Sequence, residues 1–180
     1  MVENNFKSGF ALIELLVVVS IFMIVFVFSY QGLRDNRHLE EFRLATERLA
    51  NDVKRVQTMV LSGVSDQDLG NISYGIFFDT AEPQEYLIFK DTNINQLYDD
   101  GTDTIMETTF LPPDISLSEV STANQLTIIF LPPKPTMYIN GGEIIETGWA
   151  KLTRSNLSGK AGLVNIYRIS GRITAELINL

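Results

Sequence analysis

From Phe10 to Tyr30 the chain runs through 21 residues with a single charged side chain, Glu14, and two serines, Ser20 and Ser29. As an α-helix rising about 1.5 Å per residue this run is about 31 Å long, the hydrocarbon thickness of a bilayer, so it can span one. A secretory signal would have a shorter apolar core followed by a small-residue cleavage motif. This run ends instead in Ser29-Tyr30-Gln31 and continues into a helical pattern. Lys7 lies before the span and Arg34 and Arg37 just after it, so charge alone leaves the orientation open. Glu14 is the residue that needs a reason. An ionised carboxylate inside a membrane helix costs several kcal/mol, of order ~3 on insertion scales, unless it reaches the headgroups or meets a cation.

Past the span, Leu39, Phe42, Thr46, Leu49, Val53, Val56 and Val60 recur at three- and four-residue steps between charged residues. That spacing predicts an amphipathic helix whose apolar stripe packs on a sheet. Gly63 is a plausible terminator after Ser62, and Gly32 marks a point just outside the membrane where the helix can bend. From Phe10 to Ser62 the helix would be about 80 Å long if continuous.

The residues at the head of the span, Lys7-Ser8-Gly9-Phe10-Ala11-Leu12-Ile13-Glu14-Leu15-Leu16, resemble the class III signal of type IV prepilins and pseudopilins. In that pattern a short leader ends in Gly, and Phe and a Leu-Ile-Glu-Leu-Leu core follow. The resemblance implies that prepilin peptidase removes residues 1–9, cutting between Gly9 and Phe10, and that the new amino terminus on Phe10 is methylated. Glu14 would then pair with the terminal amine of a neighbouring subunit, which supplies the missing cation and sets axial register. It also implies a cytoplasmic leader and a head outside the membrane. Ala11 stands where threonine is commoner, and Glu3 makes the leader less basic than usual.

Beyond Gly63 the texture is β. Nine short runs rich in Ile, Phe, Tyr and Thr are expected as strands: 72–78, 86–90, 104–111, 115–120, 126–131, 136–139, 144–152, 163–169 and 173–178. Pro112-Pro113 and Pro132-Pro133 end strands, and Ser170-Gly171 reads as a tight hairpin turn between the last two. The expected class is α+β: a long N-terminal helix, membrane-spanning in its first half and amphipathic in its second, packed on a β-rich antiparallel head. The expected organisation is a leader at 1–9, an assembly helix at 10–30, a stem at 31–63 and a head at 64–180. The closing Ile-Tyr-Arg-Ile-Ser-Gly-Arg-Ile-Thr hairpin is similar to the GspH/FimT-like group of minor pilins and pseudopilins.

Two stretches of the head invite a binding role. Between Asp91 and Asp103, oxygen-bearing side chains fall at alternate positions, as in calcium loops, which gather six to eight oxygens in a tight turn. Asp91, Asn93, Asn95, Asp99 and Asp103 are the candidate ligands. Against an EF-hand loop, Gln96 stands at the glycine position and Thr102 at the bidentate glutamate position, so a metal-free acidic surface loop is the plainer reading. The second stretch is a basic island. The chain carries −8 overall, but from Trp149 onward five basic residues face only Glu176, giving +4 there and −12 before it. Arg168 and Arg172 flank the last turn, with Lys151, Arg154 and Lys160 upstream, so DNA phosphates are one candidate partner. A solvated face or pairing with acidic neighbours is the other reading, and Thr174 departs from the Gly-Arg-x-Arg ending of DNA-binding members.

The inventory argues against an enzyme. There is no cysteine, hence no disulfide or thiolate metal site; the single histidine, His38, falls on the stem; no Gly-rich phosphate loop occurs. The expected role is structural, with prepilin peptidase, other pilin or pseudopilin subunits, an inner-membrane assembly platform and membrane lipid as partners, and no cofactor apart from the calcium candidate. The expected site is the cytoplasmic membrane before assembly and a periplasmic or extracellular filament afterwards. The rival class is an unprocessed bitopic protein with an extracellular binding domain.

Overall fold

A computed structural model describes residues 12–62, 73–132, 136–142 and 144–180, and for residues 30–36 the backbone alone. The α+β class is as expected: among the described residues one helix, α1 (Leu12–Leu61), precedes nine antiparallel strands. Two compact units divide the chain, Met1–Leu39 and Glu40–Leu180. In the first, α1 is apolar and exposed throughout Leu12–Ser29. α1 remains helical through Gly32. It closes at Leu61 with Ser62 in a turn whose N–H donates to the Thr58 carbonyl at 2.9 Å; Gly63 lies outside the described residues.

In the second unit the helix buries Phe42, Thr46, Leu49, Val53, Val56 and Val60 of the stripe that the three- and four-residue spacing predicts, and Ala45 and Ala50 beside them. It faces two sheets. One holds β1 (Ser73–Asp79), β2 (Glu85–Asp91), β3 (Thr104–Phe110), β5 (Gln125–Leu131) and β6 (Thr136–Ile139) in the order β3-β2-β1-β5-β6. The other holds β4 (Ile115–Val120), β7 (Thr147–Arg154), β8 (Lys160–Tyr167) and β9 (Arg172–Asn179) in the order β4-β7-β8-β9. Alternation sets the inner faces. Ile76, Phe78, Ile88, Leu126, Ile128 and Phe130 of the first sheet join Leu117, Ala150, Leu152, Val164 and Ile166 of the second and the helix stripe in one core.

Two glycines admit close neighbours, one between the layers and one on the outer face of the first sheet. A Cβ on Gly162 of β8 would lie 2.2 Å from the Thr46 hydroxyl oxygen, so the bare strand is what admits the helix. A Cβ on Gly75 of β1 would lie 2.7 Å from the Phe89 ring, which occupies that space across the strand pair.

Several boundaries differ from the sequence reading, by one residue in most strands and by up to three in β7 and β8. β7 begins at Thr147 rather than at Ile144, whose side chain is 93% exposed and contributes nothing to the sheet. β8 begins at Lys160, because its ladder with Thr153 and Asn179 extends past the apolar run, and ends at Tyr167. The β8–β9 connection is not a tight two-residue turn: Tyr167 pairs with Arg172, leaving the four-residue loop 168–171. The Gly171 N–H bonds the Tyr167 carbonyl at 2.9 Å, and Gly171 takes a φ of 64° that favours glycine.

Candidate functional site

Leu12–Ser29 has a mean hydropathy of 2.8 with none of its residues buried, and Glu14 is its one charged side chain. Ser20 turns its hydroxyl back to the Leu16 carbonyl at 2.8 Å, which removes the cost of a polar group on an apolar surface. Gly9 and Phe10, the two residues of the expected cleavage site, lie outside the described residues.

Next, the acidic loop. Asp91, Asp99 and Asp103 accept hydrogen bonds from within the loop, while the second oxygen of Asp91 is buried without a partner among the described residues. Asp103 accepts from the N–H of Thr92 at 2.9 Å with one oxygen and from the N–H of Asp99 at 2.8 Å with the other. One oxygen of Asp91 accepts the N–H of Gln96 at 3.1 Å, and Asp99 accepts the amides of Asn93 and Asn95. Asn93 and Asn95 in turn cap the N–H groups two residues on, at 3.3 and 2.9 Å. Asp91 is 2% exposed, and burial pushes its carboxyl above the usual range, with Asp103 adding to the rise; the N–H bonds from Gln96, Ile94 and Asn95 pull the other way without cancelling it. Among the described residues no group of three His, Cys, Asp or Glu side chains is placed to hold a metal ion.

What the loop does is cover the outer face of the five-stranded sheet. Tyr98 sits over Phe77 and Phe89, with ring centroids 4.5 and 5.0 Å away, and Leu97 lies against Gly141. Beneath them Phe89 and Ile129 are fully buried. The sequence carried a signal for this that the oxygen pattern masked: an adjacent leucine and tyrosine in a mostly polar loop are suited to packing on a sheet.

The basic island does not converge. Lys151 pairs with Glu119 at 3.3 Å. Arg154 is buried and bonds Asp114 at 2.5 Å and Glu41 of α1 at 2.8 Å. Burial works against its charge, but the hydrogen bonds to Glu41 and Asp114 outweigh it and hold its pKa above the usual arginine value. Lys160 starts β8 whereas Arg168 follows its end, so the whole length of the strand, about 23 Å, lies between them. Only Arg168 and Arg172 stay together, at the β8–β9 tip, where Arg172 lies 5.9 Å from the Tyr167 ring centroid.

A second polar cluster joins the stem to the first sheet and was not foreseen. The Tyr86 hydroxyl donates to Asp52 at 2.5 Å; Arg55 bridges Asp52 at 3.3 Å and Glu107 at 2.8 Å. These hold the head on the helix rather than form a site for a ligand.

With the geometry in place, the comparisons with known proteins bear on the anchor. Residues 4–30 match the family model described as the prokaryotic N-terminal methylation motif. That motif marks the N-terminus as type IV pilin-like and as a substrate of prepilin peptidase, the enzyme that prepares such subunits to assemble with others of their kind. An apolar helix carrying it fits membrane anchoring. No curated protein and no solved structure matches the chain significantly.

Proposed function

We propose that the chain is a structural subunit, a minor pilin or pseudopilin of the GspH/FimT-like kind, in a type IV pilus or type II secretion filament. The observation that carries this reading is the methylation motif at 4–30, continuous with an apolar, wholly exposed helical segment bearing one carboxylate near its start. Cleavage between Gly9 and Phe10 frees an amine that pairs with Glu14 of the neighbouring subunit. The helix rests in the cytoplasmic membrane, leader inside and head outside, until the assembly platform extracts it. Its apolar surface then packs on other subunits' helices, so burial is exchanged rather than lost. In this reading the protein is not an enzyme and takes no cofactor; the Asp91–Asp103 loop is shaped by its own hydrogen bonds and does not need calcium. Dispersal of the cations argues against the DNA-uptake alternative.

The test is intact mass after co-expression with a prepilin peptidase, beside a chain with Gly9 substituted. Loss of residues 1–9 with a methyl on Phe10 is expected in the first and an unprocessed chain in the second. Glu14→Ala is expected to be cleaved normally and to fail in assembly. A chain left whole in a competent host would instead make this an ordinary bitopic membrane protein.

A further inference from the structure

The Glu40–Leu180 unit carries an apolar groove and an apolar knob at separate points along the stem. The groove, about 370 Å³, lies between α1 and the end of β3 and is lined by Leu44, Phe110, Leu111 and Pro112. Leu44 is 56% and Phe110 67% exposed, an unusual state for two large apolar side chains facing one another across a concavity. Two carboxylates stand in its wall, Glu41 and Asp114, sharing the buried Arg154; Glu85 is the cross-strand partner of Phe110, and Arg48 is the groove's other cation. The knob is Ile169, 75% exposed on the loop 168–171. Arg168 and Arg172 flank it, neither in an ion pair among the described residues, and the Arg168 Nε is a buried donor without a hydrogen-bond partner.

The stem places the two features apart. The side chain of Gln57 donates to the Gly171 carbonyl at 3.2 Å, fixing the knob beside residue 57, whereas Arg154 fixes the groove's acidic wall to residue 41. Sixteen helical residues separate these anchors, about 24 Å along the axis. A knob and a groove at different places on one molecule cannot satisfy each other within it. Contacts of this unlike-to-unlike kind propagate into open stacks when the rotation does not close. Charge acts in the same sense. Residues 40–180 hold eleven Lys and Arg against nineteen Asp and Glu, a net −8, so neighbouring heads repel unless a cationic element meets an acidic one.

We propose that the Arg168–Arg172 tip of one copy docks in the Leu44–Phe110 groove of a second copy, Ile169 entering between Leu44 and Phe110 and the two arginines facing Glu41, Glu85 and Asp114. The contact rests on the filament reading and adds to it a head-to-head surface beside the helix packing. Because the chain contains no cysteine, disulfide trapping has no background. The full chain carrying Ile169→Cys with Leu44→Cys is co-expressed with prepilin peptidase and an assembly platform, oxidised, and run without reductant, with intact mass read on the same sample.

A ladder of dimers, trimers and higher species is expected from the double variant and from neither single variant, since only unlike contacts propagate. Adding Arg168→Glu and Arg172→Glu should cut the ladder about tenfold, as should high salt. Dimers from a single variant would mean like-to-like pairing and overturn the proposal. A cleaved chain with no ladder would overturn it and leave the filament reading standing; an uncleaved chain with no ladder would remove both. If the arginine changes spare the ladder but abolish retention of duplex DNA by the full chain, the tip is a nucleic-acid contact and the proposal fails.

Discussion

Adding one methyl group at Gly162 tests how the helix is seated on the head. The Cβ of Gly162→Ala would stand 2.2 Å from Thr46 Oγ1, 3.0 Å from its Cγ2 and 3.2 Å from its Cβ. Thr46 is 1% exposed, and its hydroxyl is already committed to the Phe42 carbonyl at 2.9 Å. Rotation about χ1 exchanges the hydroxyl and the methyl but leaves the 3.2 Å contact, so relief requires the helix to move off β8. Overpacking of this kind costs about 1–3 kcal/mol, and loss of the Thr46 bond would add about 1 kcal/mol. Against this, alanine orders the chain more cheaply than glycine by about 0.4–1 kcal/mol. The net expectation is a loss of about 1–3 kcal/mol.

Urea unfolding of the full chain in detergent, followed by the fluorescence of Trp149, the single tryptophan on neighbouring β7, reads this directly. Thr46→Ala removes the two nearest atoms, so in the double variant the clash shrinks to the 3.2 Å contact and much of the Gly162→Ala cost should disappear. A coupling of about 1 kcal/mol or more is therefore expected from the double-mutant cycle. An unchanged midpoint for Gly162→Ala, or strictly additive effects, would refute the close approach as the reason for the glycine.

Tyr86→Phe removes the hydroxyl that joins β2 to Asp52 and should cost about 1–2 kcal/mol in the same assay. Burial, reinforced by Asp52, raises the Tyr86 phenol well above its usual value of 10, so the unfolded chain ionises first. Stability from this group is complete below pH 10 and falls as pH rises beyond it, and Tyr86→Phe should flatten that alkaline fall. For Asp91 the folded carboxyl is also raised, so its contribution is complete below the unfolded value and lost as pH climbs through the folded one. Asp91→Asn should accordingly compare better with wild type at pH 7 than at pH 4; the opposite ordering would mean that the N–H bonds outweigh burial. Arg154→Ala leaves Asp114 without its buried partner and should cost about 2–3 kcal/mol by urea unfolding, less than a fully buried pair because Glu41 is 59% exposed.

The parts of this fold that were legible in the sequence are those where burial imposes a period. Leu39, Phe42, Thr46, Leu49, Val53, Val56 and Val60 were expected on one helical face; all but the half-buried Leu39 are buried. Strands read from β-branched and aromatic runs are all present, because half-buried pleats select those residues. Strand ends were less visible. Lys160, Ala161 and Gly162 have no strand preference of their own and are held in β8 by partners on β7 and β9. Pairing order is likewise non-local: nothing in β1 announces that it lies between β2 and β5. Gly162 carries no signal until Thr46 is known to face it. Of the anchor, the carboxylate and the apolar run were legible because a membrane tolerates so little else, and residues 4–30 match the methylation motif.

The acidic loop shows why an alternating oxygen pattern has two chemical readings. Oxygens at alternate positions in a tight turn suit a hard cation, but they equally suit the backbone N–H groups of that turn, which need acceptors once water is excluded. The choice depends on where the oxygens point, and in this loop apolar contacts help to set that direction. Tyr98 and Leu97 lie on Phe77, Phe89 and Gly141, which draws the turn down onto the sheet. Ile94 and Gln96 then adopt φ values of 57° and 67°, and the Gln96 N–H is aimed at Asp91. A β-branched residue in the left-handed region is held there at a cost of about 1–3 kcal/mol, so the surrounding contacts must over-determine it. The acids thus serve a cover whose position two apolar side chains dictate. An alternating oxygen pattern is therefore a signal for a folded turn as much as for a cation, since the N–H groups of the turn draw on the same oxygens.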